Sequence, residues 1–183
     1  MIITISGDLG SGKSTVARAL AEKFKLKHYS AGDFMREMAK ERGISLLELS
    51  KMAEKDSSID KEIDERTKKL AVEEDNFVID SRIAYHFIPK AIKIHMKVDA
   101  EEAAKRVSKR GQAGEEKASI EETKKRLMER AKSEAERYKK YYDIDVNDEA
   151  QYDLVFDTTH TKTQEGIDAI LEWTEEYVKK INA

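Results

Sequence analysis

The sequence has no cysteine, which excludes disulfides and thiolate metal sites. No apolar run approaches the roughly 20 residues needed to cross a bilayer, so no membrane partner is expected. The opening Met-Ile-Ile-Thr-Ile-Ser-Gly-Asp reads directly into a strand and carries neither a basic leader nor a cleavage signal. A cytoplasmic protein is the expectation. Net charge is also scarce. The 34 Lys and Arg nearly balance the 37 Asp and Glu, leaving −3. A chain so balanced has no general attraction for nucleic acid or anionic membranes, and an anionic ligand must be held by a local cluster of cations. The four histidines (His28, His86, His95, His160) show no metal-ligand spacing and read as structural or surface residues. There is no internal repeat and no low-complexity tail to suggest an obligate protein partner.

What is present is a chain of 183 residues with 39% hydrophobic residues, enough for the core of one domain. Residues 1–6 form an apolar, β-branched run suited to a central parallel strand. Further strands are predicted at Lys27–Tyr29, Asn76–Asp80, Ala91–Val98 and Tyr152–Phe156. In Ala91–Val98 the alternation of Ile92, Ile94, Met96 and Val98 with Lys93, His95 and Lys97 predicts one poorly covered face. Helices are signalled after Gly12, after Ser30 and near Ser57. Ser45–Glu48 and Ser119–Glu122 are capping boxes, and Asp99 and Thr161 are read as caps. Strands separated by helices of this length indicate parallel βαβ units, an α/β architecture with helices on both faces of one sheet. The stretches 30–75 and 106–140 are helix-rich excursions expected beyond the carboxyl edge of the sheet, where open α/β sheets bind ligands. The glycine-containing loop 111–116 reads as the tip of a closing lid.

Gly7-Asp8-Leu9-Gly10-Ser11-Gly12-Lys13-Ser14, followed by Thr15, matches the strand–GxxxxGK[ST]–helix pattern of the P-loop. Its chemistry follows from its residue types. Glycines let several backbone N–H groups converge on one anion, and the helix that begins there adds the positive end of its dipole. Lys13 reaches the β- and γ-phosphates of a nucleoside triphosphate, expected to be ATP, and the Ser14 hydroxyl is a Mg²⁺ ligand.

A P-loop alone does not separate a kinase from a GTPase or a motor. The Asn-Lys-x-Asp guanine signature is missing from the sequence. A second set of anion-binding candidates is present. Gly32 and Asp33 open a helix that carries Arg36 one turn later. Asp80 closes an apolar strand, as a Walker-B acid does, and would hold Mg²⁺ through water. Ser81 and Arg82 follow it. Arg130, Glu134 and Arg137 share one helix face. The same spacing also describes a surface ion-pair ladder, and Arg106 and Arg110, ahead of the loop, are open to either reading. Two other functions stay open on these residues: a small P-loop kinase acting on AMP, UMP or a non-nucleotide metabolite, and a nucleotide-dependent switch or assembly ATPase.

Taken together, these motifs resemble the nucleoside monophosphate kinases, and most of all the short archaeal-type cytidylate kinases. Ala31–Arg36 is similar to the Thr-Gly-Asp-x-x-Arg segment of adenylate kinases, whose Arg contacts the acceptor phosphate. Asp80-Ser81-Arg82 resembles the Asp-Gly-Arg of cytidylate kinases, and Arg130, Glu134 and Arg137 match their Arg-x-x-x-Asp-x-x-Arg spacing. The resemblance spans nearly the whole chain. It implies a five-stranded parallel sheet of the P-loop fold, an acceptor-binding segment at about 30–75 and a lid at about 106–118. It implies Mg-dependent transfer from ATP to CMP or dCMP. Lys13, Arg130 and Arg137 would be catalytic, with Arg106 and Arg110 joining 7–15 around ATP. Gly32, Asp33, Arg36, Asp80, Ser81, Arg82, Glu134 and Arg137 would surround the acceptor. Bacterial members carry an acid where this chain has Ile83, so another polar group is expected to complete the base contacts.

Overall fold

Ile2–Gly7 is buried along its whole length, which is what a strand covered on both faces requires of its sequence. In the computed structural model, which describes residues 1–53, 55–110 and 118–183, this segment is β1. It is followed by α1 (Lys13–Phe24), β2 (Lys27–Ser30), α2 (Ala31–Glu41), α3 (Leu46–Ala53), α4 (Ser57–Glu73) and β3 (Phe77–Asp80). The chain continues through α5 (Ala84–Phe87), β4 (Ile92–Lys97), α6 (Ala100–Arg110), α7 (Ile120–Tyr142), a 3-10 turn (Glu149–Gln151), β5 (Leu154–Asp157) and α8 (Thr163–Ile181). The five strands lie in the order β2-β3-β1-β4-β5. Parallel pairing sets Ile5 beside Asp80, Ser30 beside Asp80, and Lys97 beside Asp157. The carboxyl end of the strands is where this class of sheet binds ligands. Gly7 lies at that end.

The chain divides into two compact units, Met1–Ser6 with Ala17–Lys93, and Gly7–Val16 with Ile94–Ala183. The first holds two apolar clusters. One joins Phe34, Leu70, Phe77, Ile79 and Ile88; the other joins Met38, Ala39, Leu49 and Ile59, which tie α2, α3 and α4 together. In the second unit Met96, Ala103, Ala104, Ile144 and Ile170 are buried. Among the described residues no helix is long and apolar enough to cross a membrane.

Local chemistry explains most element boundaries. Both capping boxes form. Ser45 Oγ accepts from Glu48 N while Glu48 Oε2 accepts from Ser45 N. Ser119 and Glu122 make the same reciprocal pair. Asp99 Oδ1 accepts from Glu101 N at 2.8 Å and so opens α6. Because the Ser119 cap is exposed and its loss is local, Ser119→Ala should destabilise the chain by about 1 kcal/mol. That is a fall in melting temperature of about 2–4 °C; an unchanged melting temperature would contradict the cap.

Two expectations are corrected. The polar face of Ala91–Val98 is open only in part: Lys97 is exposed and Lys93 half-buried, but His95 is 9% exposed and its ring stacks on Tyr152 at 4.4 Å. Burial pushes the pKa of His95 below the usual histidine value. Thr161 does not cap the last helix. Lys162 occupies the N-cap position without a side-chain hydrogen bond, and Thr161 Oγ1 turns back to the Asp157 carbonyl. Two elements lie outside the sequence reading: the short α5, which has no side-chain cap, and the 3-10 turn, capped by Asp148, whose Oδ1 accepts from Ala150 N. The lid tip at 111–116 lies outside the described residues, as does the side chain of Arg110.

Candidate active site

The phosphate loop is shaped by what its glycines avoid. Gly7 has φ +126°, and a Cβ there would sit 2.0 Å from the Met96 carbonyl oxygen of β4. Only a residue without a side chain fits both conditions. Asp8 then fastens the loop to the end of β4 at two points. Its N–H donates to Met96 O at 2.9 Å, and its Oδ2 accepts from Val98 N at 2.9 Å. Lys13, in the first turn of α1, donates through Nζ to the carbonyls of Gly7, at 2.9 Å, and Asp8. The ammonium is thereby held over the loop. Ser14 is exposed, and Thr15 N donates to Gly12 O as α1 begins.

The turn after β5 forms a second fixed point in the same unit. Thr158 is 6% exposed. Its hydroxyl accepts from Arg106 Nη1 at 3.0 Å, and its proton faces the carbonyls of Lys97 at 3.0 Å and Ser11 at 3.3 Å. Arg106 Nη2 donates to Thr158 O at 2.6 Å, and its Nε donates to Glu102 Oε1 at 2.9 Å. Arg106, expected around ATP, is thus rooted on the β5–α8 turn. Thr158 was not singled out from the sequence; the available signal was a pair of hydroxyl residues directly after the last strand.

The charged stripe of helix α7 is unevenly buried. A solvated ladder leaves every member exposed. Here Glu134 is buried at 8% exposure, as is Thr123 on the same face, while Ile120 and Met128 are exposed. Arg130 Nε donates to Glu134 Oε1 at 2.8 Å, and Arg137 Nη1 donates to Ser133 Oγ at 3.0 Å. A buried carboxylate is retained only where a cation and hydrogen bonds compensate its desolvation. Glu134 therefore fixes Arg130, whose side chain remains 64% exposed.

The other unit assembles the acceptor candidates. Ser30 caps α2, accepting from Asp33 N at 3.0 Å and donating to Asp33 Oδ2 at 2.7 Å. The other carboxylate oxygen of Asp33 pairs with Arg36 Nη2. Partial burial pushes the Asp33 pKa up, but the Ser30 hydroxyl and the Arg36 guanidinium outweigh it and hold the carboxyl below its usual range. Arg36 projects with 58% of its side chain exposed, and Gly32 leaves room beside its guanidinium. Asp80 closes β3 in a buried position, and His28 Nε2 lies 3.0 Å from its Oδ1. Sequence reasoning missed His28. On β2 it lies two residues before Ser30, the register partner of Asp80, and only the pairing of β2 with β3 brings the two together. Ser81 continues the strand by donating N–H to Ile5 O, and Arg82 is half-buried beyond it.

Residues 2–160 match the cytidylate kinase-like family. A cytidylate kinase of Methanosarcina acetivorans is 40% identical over 173 residues, 93% of this chain and 94% of that protein. One of Methanococcoides burtonii is 42% identical over 159 residues, 87% and 88% of the two chains. Among solved structures, shikimate kinase from Bacteroides thetaiotaomicron superposes with a TM-score of 0.67 at 17% identity, covering 98% of both chains. At that identity the likeness speaks for the fold alone.

Proposed function

The chain belongs to the cytidylate kinase-like family, and from that premise we propose how its own residues divide the work of the reaction. It is a nucleoside monophosphate kinase that transfers the γ-phosphoryl group of ATP to CMP. An oxygen of the CMP phosphate attacks the γ-phosphorus. The bond from that phosphorus to the β–γ bridging oxygen breaks, leaving CDP and ADP. The attacking phosphate is already largely ionised near neutral pH, so no general base is needed. Catalysis reduces to positioning and charge neutralisation. The acceptor range extends in this reading to dCMP.

The observation that carries the assignment of roles is the Gly7–Ser14 loop, with the Lys13 ammonium held over it by the Gly7 and Asp8 carbonyls. In our reading residues 7–15 take the phosphates of ATP, with Arg106 and Arg110 beside the nucleotide. Lys13, Arg130 and Arg137 stabilise charge on the transferring group, as preorganised donors do. Gly32, Asp33 and Arg36 take the CMP phosphate, and Asp80, Ser81, Arg82, Glu134 and Arg137 serve the rest of the acceptor. Mg²⁺ fits the donors offered, the exposed Ser14 hydroxyl and the Asp80 carboxylate acting through water, since both are hard oxygen groups. When bound, it neutralises phosphate charge. Residues 30–75 act as the acceptor-binding segment and 106–118 as the lid.

The test follows ADP release with CMP as acceptor in two variants. Arg36→Ala should raise the KM for CMP about tenfold or more and leave the KM for ATP within about twofold, because its exposed guanidinium is assigned to the acceptor phosphate. Arg130→Ala should chiefly lower kcat, because its contact is assigned to the transferring group. Loss of ATP affinity alone in both variants would overturn this division.

A further inference from the structure

The phosphate loop contains a peptide that its own sequence leaves loose. Gly12 has φ +93°, and a glycine able to adopt that conformation can rotate the Ser11–Gly12 peptide either way at little cost. The orientation matters because a trans peptide points its C=O and N–H in opposite directions. If the Ser11 carbonyl turned toward the phosphates, it would replace an N–H donor with a repelling oxygen. Something outside the loop must hold this peptide.

We propose that Thr158 is that positioning residue, locking the Ser11–Gly12 peptide with its carbonyl outward. Its hydroxyl is buried and lies 3.3 Å from the Ser11 carbonyl oxygen. The Lys97 carbonyl, at 3.0 Å, also receives the Thr158 N–H at 2.9 Å, so the hydroxyl proton is shared between the Lys97 and Ser11 carbonyls. The oxygen lone pairs of the hydroxyl are engaged from the other side by Arg106 Nη1 at 3.0 Å, which turns the hydroxyl proton toward the carbonyls. Arg106 is itself steadied by Glu102 and by the Thr158 carbonyl. A chain of hydrogen bonds thus runs from α6 through one hydroxyl to the loop, and the Gly12 N–H points away from Thr158 as a result. The effect on the reaction is indirect: Thr158 sets the geometry in which the loop receives the triphosphate. The inference rests on the assignment of residues 7–14 to the phosphates of ATP.

Thr158→Val keeps the shape and removes the hydroxyl; Thr158→Ser keeps the hydroxyl. The valine variant should raise the KM for ATP about tenfold, the scale of one buried hydrogen bond, and leave the KM for CMP within about twofold. Its Gly12 amide resonance should shift in an ¹⁵N-correlated NMR spectrum, while the serine variant stays near wild type in both respects. If the valine variant does not fold, Thr158→Ala carries the same expectations without added bulk. An unchanged KM for ATP, an equal rise in both KM values, or an unmoved Gly12 resonance would overturn the lock. Lys13→Ala separates the two layers. If it abolishes turnover while Thr158→Val is neutral, the lock fails and the loop assignment stands. If it leaves turnover normal, the loop assignment fails and the lock with it.

Discussion

Lys13→Ala should lower kcat by about 10²-fold or more while the chain stays folded. The expectation follows from what the ammonium does in the loop. It is held by the Gly7 and Asp8 carbonyls, and in the role proposed above it would stabilise charge on the transferring group. A fixed donor of this kind is worth roughly 3–4 kcal/mol in the transition state, and a hundredfold loss in rate corresponds to about 2.7 kcal/mol. The structural consequence is smaller. Lys13 is half-buried and its ammonium bonds to loop carbonyls, whereas Asp8 holds the loop to β4 through Met96 and Val98 without it. The melting temperature should therefore move by only a few degrees. Steady-state ADP release with saturating ATP and CMP, alongside thermal unfolding, measures both. A purified variant with near-native kcat would remove the Gly7–Ser14 loop from the chemistry.

The second large effect is expected in the choice of base. At saturating ATP, kcat/KM for CMP should exceed that for UMP and for AMP by on the order of 10²-fold or more, with dCMP close to CMP. Cytosine offers an amine donor at N4 and acceptors at N3 and O2. Uracil reverses donor and acceptor at two of these positions, so a site built for cytosine leaves buried polar groups unpaired against it. Sites of that kind discriminate far more strongly than apolar pockets do. Ile83 is 2% exposed and apolar, so it supplies no hydrogen bond to the base. We assign the polar contacts to Ser81, Arg82 and Glu134. A coupled ADP-release assay across CMP, dCMP, UMP, AMP and GMP gives the ratios. Values near or below one for CMP against UMP or AMP would transfer the specificity to that base.

The sequence by itself determined those parts whose physics is local. The Gly7–Ser14 loop needs glycines, a lysine and a helix start in fixed succession, and the structure has them in that succession. The Ser45–Glu48 and Ser119–Glu122 boxes close over four residues each, and the five strands read from the sequence appear within a few residues of their expected bounds. The parallel α/β architecture followed from strand and helix alternation, and the family resemblance rested on the same short motifs. Where the outcome depended on residues distant along the chain, the sequence was silent or misleading. The alternation in β4 suggested an open face because nothing local shows that Tyr152 stacks on His95. His28 read only as a structural or surface histidine, and parallel pairing is what brings it to Asp80 across 52 residues. On α7 the spacing of Arg130, Glu134 and Arg137 was legible, but the burial of Glu134 was not. Thr158 is the extreme case. Its hydroxyl meets Ser11 across 147 residues, and no periodicity or motif encodes a single hydrogen bond of that span. Local rules fix which residues can do chemistry; the order of strands in the sheet decides which of them meet.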